Sequence, residues 1–266
     1  MEATVTGTNR TGASASASGT EAMTEASAAF TPRGHIDLSG GKAQRMAYAE
    51  EADTIGSIPP PTTLKGMIKT GIAKVSGRSP AMLLDKIGER IAFERGGTRL
   101  YDALLTKYEG LAQTNDDILP PVEDLAAQDE VVLPEHLGES AAQTLRRIRS
   151  EELKHFWLLS AAMTKLGGDP TAQTPCADVS STATAGLLQV VTDPRTTLAQ
   201  CLNAMQTAEL TDNAGWELLI QLADEAGEAE LAAQFLGALG EEQEHLTAVR
   251  NWLTYLVTEK FETEAV

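Results

Sequence analysis

The chain has 266 residues, 42% of them apolar, enough for one large domain or two small ones with a substantial buried core. Its 38 acidic residues against 21 basic ones leave a net charge of −17 with no Lys/Arg stripe, which disfavours nucleic acid and anionic membrane as partners and favours accumulation of cations. Cys176 and Cys201 are the only cysteines and form no C-x-x-C pair, which removes a zinc ribbon, a rubredoxin-type iron site and a disulfide framework from consideration. No run of about 18 apolar residues is present, so an ordinary membrane-spanning helix is not expected. The first residues also lack the basic-then-apolar order of a secretory signal, and a reducing cytoplasm is the expected compartment.

Residues 1–29 are Ser, Thr, Ala, Gly and Glu with almost nothing to bury, and such composition cannot offset the entropy of ordering; a disordered tail is expected there. Residues 30–79 read as an N-terminal extension. Within it Leu64, Met67, Ile68, Ile72 and Val75 recur at helical spacing, which predicts a short amphipathic helix.

From residue 80 to about 262 the expected class is all-α, with four long segments whose inward positions step by three and four. The first runs Leu84, Ile87, Ile91, Glu94, Thr98, Tyr101, Leu105, Tyr108. The second runs Leu145, Ile148, Glu152, His155, Leu159, Ala162, Leu166 and stops at Gly167-Gly168. The third is expected to open at Asp193-Pro194 and runs Leu198, Leu202, Met205, Glu209, Asp212, Trp216, Leu219. The fourth, after Gly227, runs Leu231, Phe235, Ala238, Glu242, His245, Val249, Trp252, Leu256.

Each stripe is apolar at both ends and polar in the middle. Two of the polar stretches are Glu-x-x-His pairs, Glu152/His155 and Glu242/His245, which use two of the four histidines in the chain. Residues three apart on a helix share a face, so one carboxylate and one imidazole can reach the same ion. Burying unpaired carboxylates costs several kcal/mol each, and a bound dication, or two, is the simplest compensation. Glu151, Glu241, Glu244, Glu89 and Glu217 fall off the stripes and are set aside as ligands; His35 and His136 are expected in solvated loops.

The short turn at Ala226-Gly227 implies antiparallel neighbours. Some 26 residues rich in Pro, Thr and Ala separate segments two and three, enough for a crossover along a bundle. The acidic run from Asp116 to Glu139 reads as an insertion that either covers one side or makes an oligomer contact.

A Glu from each of two helices plus Glu-x-x-His from each of the other two resembles the ferritin-like superfamily of carboxylate proteins. Glu209 precedes Glu242 by 33 positions, similar to the bacterioferritins and rubrerythrins, and Tyr101 lies seven residues after Glu94, where these families also carry a tyrosine. The resemblance implies an antiparallel four-helix bundle with a long crossover between its second and third helices. It implies Glu94 and Glu209 as terminal carboxylates, Glu152 and Glu242 as bridges, and His155 and His245 as one ligand to each of two metals. It also implies Asp212 as an extra ligand or a partner of a histidine, and Tyr101 in a redox or hydrogen-bonding role.

Carboxylates with imidazoles suit Fe, Mn or a mixed pair. Haem is not expected, because Leu153 stands where haem-binding bacterioferritins carry a Met after the second-helix Glu. The function so implied is a non-haem di-iron protein reacting with O2 or H2O2, as an oxidase, a peroxidase or a ferroxidase. A peroxidase of this type, lacking a rubredoxin domain, would need an external electron-donor protein; a homodimer is among the expected assemblies. Iron storage or transfer, and a manganese catalase, are the alternatives with the same ligands.

Overall fold

The computed structural model describes residues 16–31, 33–34, 37, 39–59, 81–113, 118–125 and 136–264. Among them all regular structure is helical, in seven α-helices and one 3-10 turn, and no helix is long and apolar enough to cross a membrane. The chain divides into two compact units, Glu2–Thr54 and Ile55–Val266.

The first unit holds α1 (Ala17–Phe30) and α2 (Ser39–Glu51). The composition argument expected no order through residue 29, yet α1 forms, with Ser16 capping it through a hydrogen bond from Gly19 N. Alanine-rich sequence and a serine cap supply helix propensity where there is no core to pack against. Neither helix buries a residue, and Met23, Phe30, Met46 and Tyr48 are exposed. The amphipathic helix expected at Leu64 to Val75 lies outside the described residues.

The second unit contains α3 (Ala81–Ala112), α4 (Ala141–Lys165), α5 (Pro175–Thr192), α6 (Leu198–Glu225) and α7 (Ala229–Glu264). The ends of these helices follow local chemistry. Ser140 and Gln143 form a capping box at the start of α4, and Thr197 and Gln200 form one at the start of α6. Helices α4 and α6 are followed by Gly167 and Gly227, whose φ angles of 89° and 76° reverse the chain without a Cβ clash.

The expected start of the third segment at Asp193-Pro194 is corrected here. Asp193 is the C-cap of α5, and its carboxylate accepts hydrogen bonds from the backbone and guanidinium of Arg195, while Thr197 caps α6 four residues later. The long connection is itself mostly helix: α5 begins at Pro175 under a Thr174 cap and packs along α3 and α6. Its Ala, Ser and Thr residues carry little apolar periodicity, and only Ala177 and Val191 are buried, which explains why the pattern alone marked a crossover and no helix.

Helix α4 packs mainly on α3, and α7 mainly on α6. Two apolar clusters result, both built from α3, α4, α6 and α7. One contains Leu100, Leu104, Leu145, Ile148, Leu202, Met205, Val249 and Trp252; the other contains Leu84, Ile87, Ile91, Leu159, Met163, Trp216, Leu219 and Phe235. Part of the linker between α3 and α4 closes the first cluster. Ile118 and Leu119 are buried in it, and Pro120 O accepts a 2.9 Å hydrogen bond from Trp252 Nε1, so the described stretch of this insertion covers the core. Between the two clusters lies a polar layer.

Candidate metal centre

Glu94 and Arg90 come from α3, Glu152 and His155 from α4, Glu209 and Asp212 from α6, and Glu242 and His245 from α7, all buried. The structure brings every carboxylate and imidazole singled out on the stripes into this one layer. Three overlapping groups have donor atoms within 4.8 Å of one another and could hold a metal ion: Glu152, Glu209, Glu242 and His245; Glu94, His155 and Glu242; and Glu94, Glu152, Asp212 and Glu242. Glu242 belongs to all three groups and Glu152 to two.

The histidines are held from outside the layer. His155 Nε2 lies 2.7 Å from Glu241 Oε2, and His245 Nε2 lies 2.9 Å from Glu151 Oε2. The partners are crossed: the carboxylate of α7 holds the imidazole of α4, and that of α4 holds the imidazole of α7. The hydrogen bond to His155, against the opposing burial and with help from Lys154, holds the Glu241 carboxyl down at about 2. Partial burial also opposes the charge on Glu151, but His245 and Arg147 outweigh it and lower its carboxyl. An ionised carboxylate can only accept, so each Nε2 carries the proton and each Nδ1 faces inward. There His155 Nδ1 lies 2.6 Å from Glu242 Oε1 and 3.7 Å from Glu94 Oε2, and His245 Nδ1 lies 3.1 Å from Glu242 Oε2 and 3.7 Å from Glu152 Oε1.

Glu151 and Glu241, set aside as ligands for their phase, therefore have a role that the stripes did not show. The signal was the doublet itself, since both motifs read Glu-Glu-x-x-His. His136, expected in solvent, is instead partly buried with Nδ1 3.0 Å from Glu244 Oε2.

Two further side chains set the carboxylates. Tyr101 Oη donates to Glu209 Oε1 at 2.5 Å, and its ring stands edge-on to that of His245. Arg90 donates to Glu94 Oε1 at 3.1 Å and pairs with Asp212. Arg90 lies one turn before Glu94 on the inward side and went unremarked because a stripe reading looks for carboxylates and imidazoles. Gly97 also contributes: a Cβ at this position would strike the Glu152 carboxylate, so the glycine on α3 makes room for it.

Whether these residues fit a metal can be tested on what is left unpaired. Glu94 Oε2, Glu152 Oε2, Glu209 Oε2, Glu242 Oε1 and His155 Nδ1 are fully buried with no hydrogen-bond partner; the 2.6 Å approach of the last two is off the hydrogen-bonding direction. Buried polar atoms are normally satisfied, and five unsatisfied ones from four helices converging on one layer are what a cation site requires. Charge agrees. With every carboxylate ionised, Glu94, Glu152, Glu209, Asp212 and Glu242 against Arg90 leave four negative charges, which two dications would cancel with neutral imidazoles.

Without a cation the layer can exist only by protonation. Burial and the neighbouring Glu242 push the Glu209 carboxyl up to about 8, and burial with the same neighbour raises Glu152 well above its ordinary range. Burial also raises Asp212, against the pull of Arg90. Burial opposes charge on His155 as well, but the hydrogen bond to Glu241 and the close carboxylates of Glu242 and Glu94 outweigh it and hold the imidazolium up to about 11.

No protein-family model, curated protein or solved structure matches this chain, so the functional argument stands on the geometry.

Proposed function

We propose that the chain is a ferritin-like four-helix-bundle protein, with α3, α4, α6 and α7 as the bundle, that holds two iron ions in the polar layer and reacts with O2 or H2O2. The observation that carries this reading is the set of unpaired inward donor atoms on Glu94, Glu152, Glu209, Glu242 and His155, contributed by all four helices. Oxygen and imidazole donors without thiolate suit iron or manganese, and such a pair would supply a two-electron reduction of O2 or H2O2, each ion changing oxidation state by one.

The residues would divide as follows. His245 and Glu209 would serve one ion and His155 and Glu94 the other, with Glu152 and Glu242 between them. Glu151 and Glu241 fix the imidazole rings so that Nδ1 faces the ions, a support that commonly changes metal affinity by about 10–100-fold. Tyr101 orients Glu209 and keeps a phenolic proton at Oη within the layer. Burial, with the nearby Glu209 and Glu152 charges, raises its pKa well above that of a free tyrosine, so this proton stays in place at neutral pH. The apolar clusters on both sides exclude water and keep the electrostatics of the layer strong.

The first experiment is elemental analysis of protein purified without chelator, followed by anaerobic Fe(II) loading and exposure to O2 or H2O2. About two Fe per chain, with oxidant consumed in proportion to iron and no mineral growth, supports the reading. Growth to many iron atoms per chain would favour storage. Two retained Mn with O2 evolved from peroxide would favour a catalase. Failure to bind metal after loading would overturn the reading.

A further inference from the structure

The two halves of the layer repeat in sequence and in space. Glu94 to Glu209 and Tyr101 to Trp216 are both steps of 115 residues, while Glu151, Glu152 and His155 reach Glu241, Glu242 and His245 by steps of 90. Each histidine is held by a carboxylate of the other half. Each aromatic ring also stands against the histidine of the other half, with centroids 6.3 Å apart for Tyr101 and His245 and 5.4 Å for Trp216 and His155.

The step of 115 also takes Arg90 to Met205, Gly97 to Asp212 and Leu100 to Gly215, and here the halves differ. Arg90 is only 1% exposed; its guanidinium reaches Glu94 and Asp212, lies 4.2 Å over the Phe93 ring, and leaves Nε unpartnered. Gly215 admits it, since a Cβ there would come within 2.7 Å of Arg90 Nη1 and 2.8 Å of its Cδ. Three coordinated differences, an arginine, an acid to pair with it and a glycine to make room, place a permanent positive charge on one half alone. An arginine whose only task was to fill the core would be replaceable by the Met of the other half.

We propose that Arg90 makes the two metal positions unequal, so that the position formed by Glu152, Glu209, Glu242 and His245 fills first and the position formed by Glu94, His155 and Glu242 fills second and exchanges. This rests on the two-metal reading above. Both physical effects have the same sign. The guanidinium repels a dication beside it, and it occupies Oε1 of Glu94, leaving that carboxylate one oxygen and a reduced effective charge. Glu152 and Glu242 lie within reach of both positions, so the difference between them rests on Arg90 at Glu94. The ligand class is a divalent first-row cation, and the exchangeable position is where a second, different ion would enter or leave.

The test is anaerobic titration of the metal-free full chain with Mn(II), with free ion followed by electron paramagnetic resonance. The wild type should take up two ions in two steps whose dissociation constants differ by about tenfold or more. Arg90→Met should bring the steps together, and Arg90→Lys should keep them apart. Asp212→Asn, which leaves the guanidinium charge compensated by Glu94 alone, should separate them further. Circular dichroism checks that each variant is folded; should Arg90→Met not fold, the wider separation expected of Asp212→Asn, against the unchanged one of Arg90→Lys, carries the test. An ion pair that serves only the fold would move the melting temperature and leave the separation unchanged in folded variants, overturning the proposal. Two equal steps in the wild type would overturn the inequality and leave the metal reading standing, whereas no bound ion would overturn both.

Discussion

The apolar clusters and the polar layer between them are built by the same four helices, yet they reach stability by opposite routes. In the clusters Trp252, Leu202 and Phe235 are buried with nothing left to satisfy beyond one indole hydrogen bond. In the layer each helix contributes groups that cost free energy to bury, and five of their carboxylate and imidazole atoms are buried unpaired. The clusters are largely apolar, and of their two indoles Trp216 leaves its Nε1 unpaired beside the layer. The layer has donor atoms that could hold a cation, and they sit where the fold by itself is weakest.

Mutations should separate the two regions. Phe235→Ala, in a cluster, is expected to lower stability by about 3–5 kcal/mol with metal content unchanged; loss of metal at an intact fold would contradict the division. His155→Ala or His245→Ala should do the reverse. Metal occupancy should fall sharply while circular dichroism reports the same helix content, and retention of two tightly held ions by both variants would show the ligand assignment to be wrong.

The outer carboxylates sharpen the comparison, because they touch the rings and not the ions. Glu241→Gln is expected to weaken metal binding by about 10–100-fold, read by competition with a chromophoric chelator; unchanged affinity would reduce Glu241 to a surface partner of Lys154.

A pH series reaches the same division from the other side. Glu209, held up to about 8, and His155, held up to about 11, keep their protons in the metal-free fold at pH values where the unfolded chain has lost them. The stability they lend the metal-free protein therefore declines as pH rises, from about 4.5 to 8 for Glu209 and from about 6.5 to 11 for His155. Metal binding must displace these protons and strengthens over the same range. Melting curves of metal-free and metal-loaded protein should move further apart from about pH 6 to 9, and parallel curves would count against a cation in the layer. The smallest effect is expected from removal of residues 1–29. Since α1 buries no residue, metal content and melting temperature should be unchanged; a clear loss of either would show that this segment packs on the rest.

Much of this division was legible in the chain. The step of three and four along each segment marked most of the inward residues, though in the first Leu104 is fully buried and Leu105 only partly, and the switch from apolar to acidic and back within each stripe located the layer, because helical periodicity is a local property. Helix α5 was not legible, since Ala, Ser and Thr lying on a neighbour bury too little to mark a face. The start of α6 was misplaced because Asp193-Pro194 and Thr197 both look like caps, and only the closing of the box by Gln200 distinguishes them.

By itself the sequence determined which residues face inward and that their charge demands compensation, for these follow from backbone geometry and the cost of desolvation. Only the tertiary structure decided the pairings that cross between helices. Glu151 meets His245 and Glu241 meets His155 because α4 and α7 present those faces to each other, and Arg90 meets Asp212 where Gly215 leaves room for its side chain. Such contacts join positions about 90 or more residues apart, and no local period encodes them.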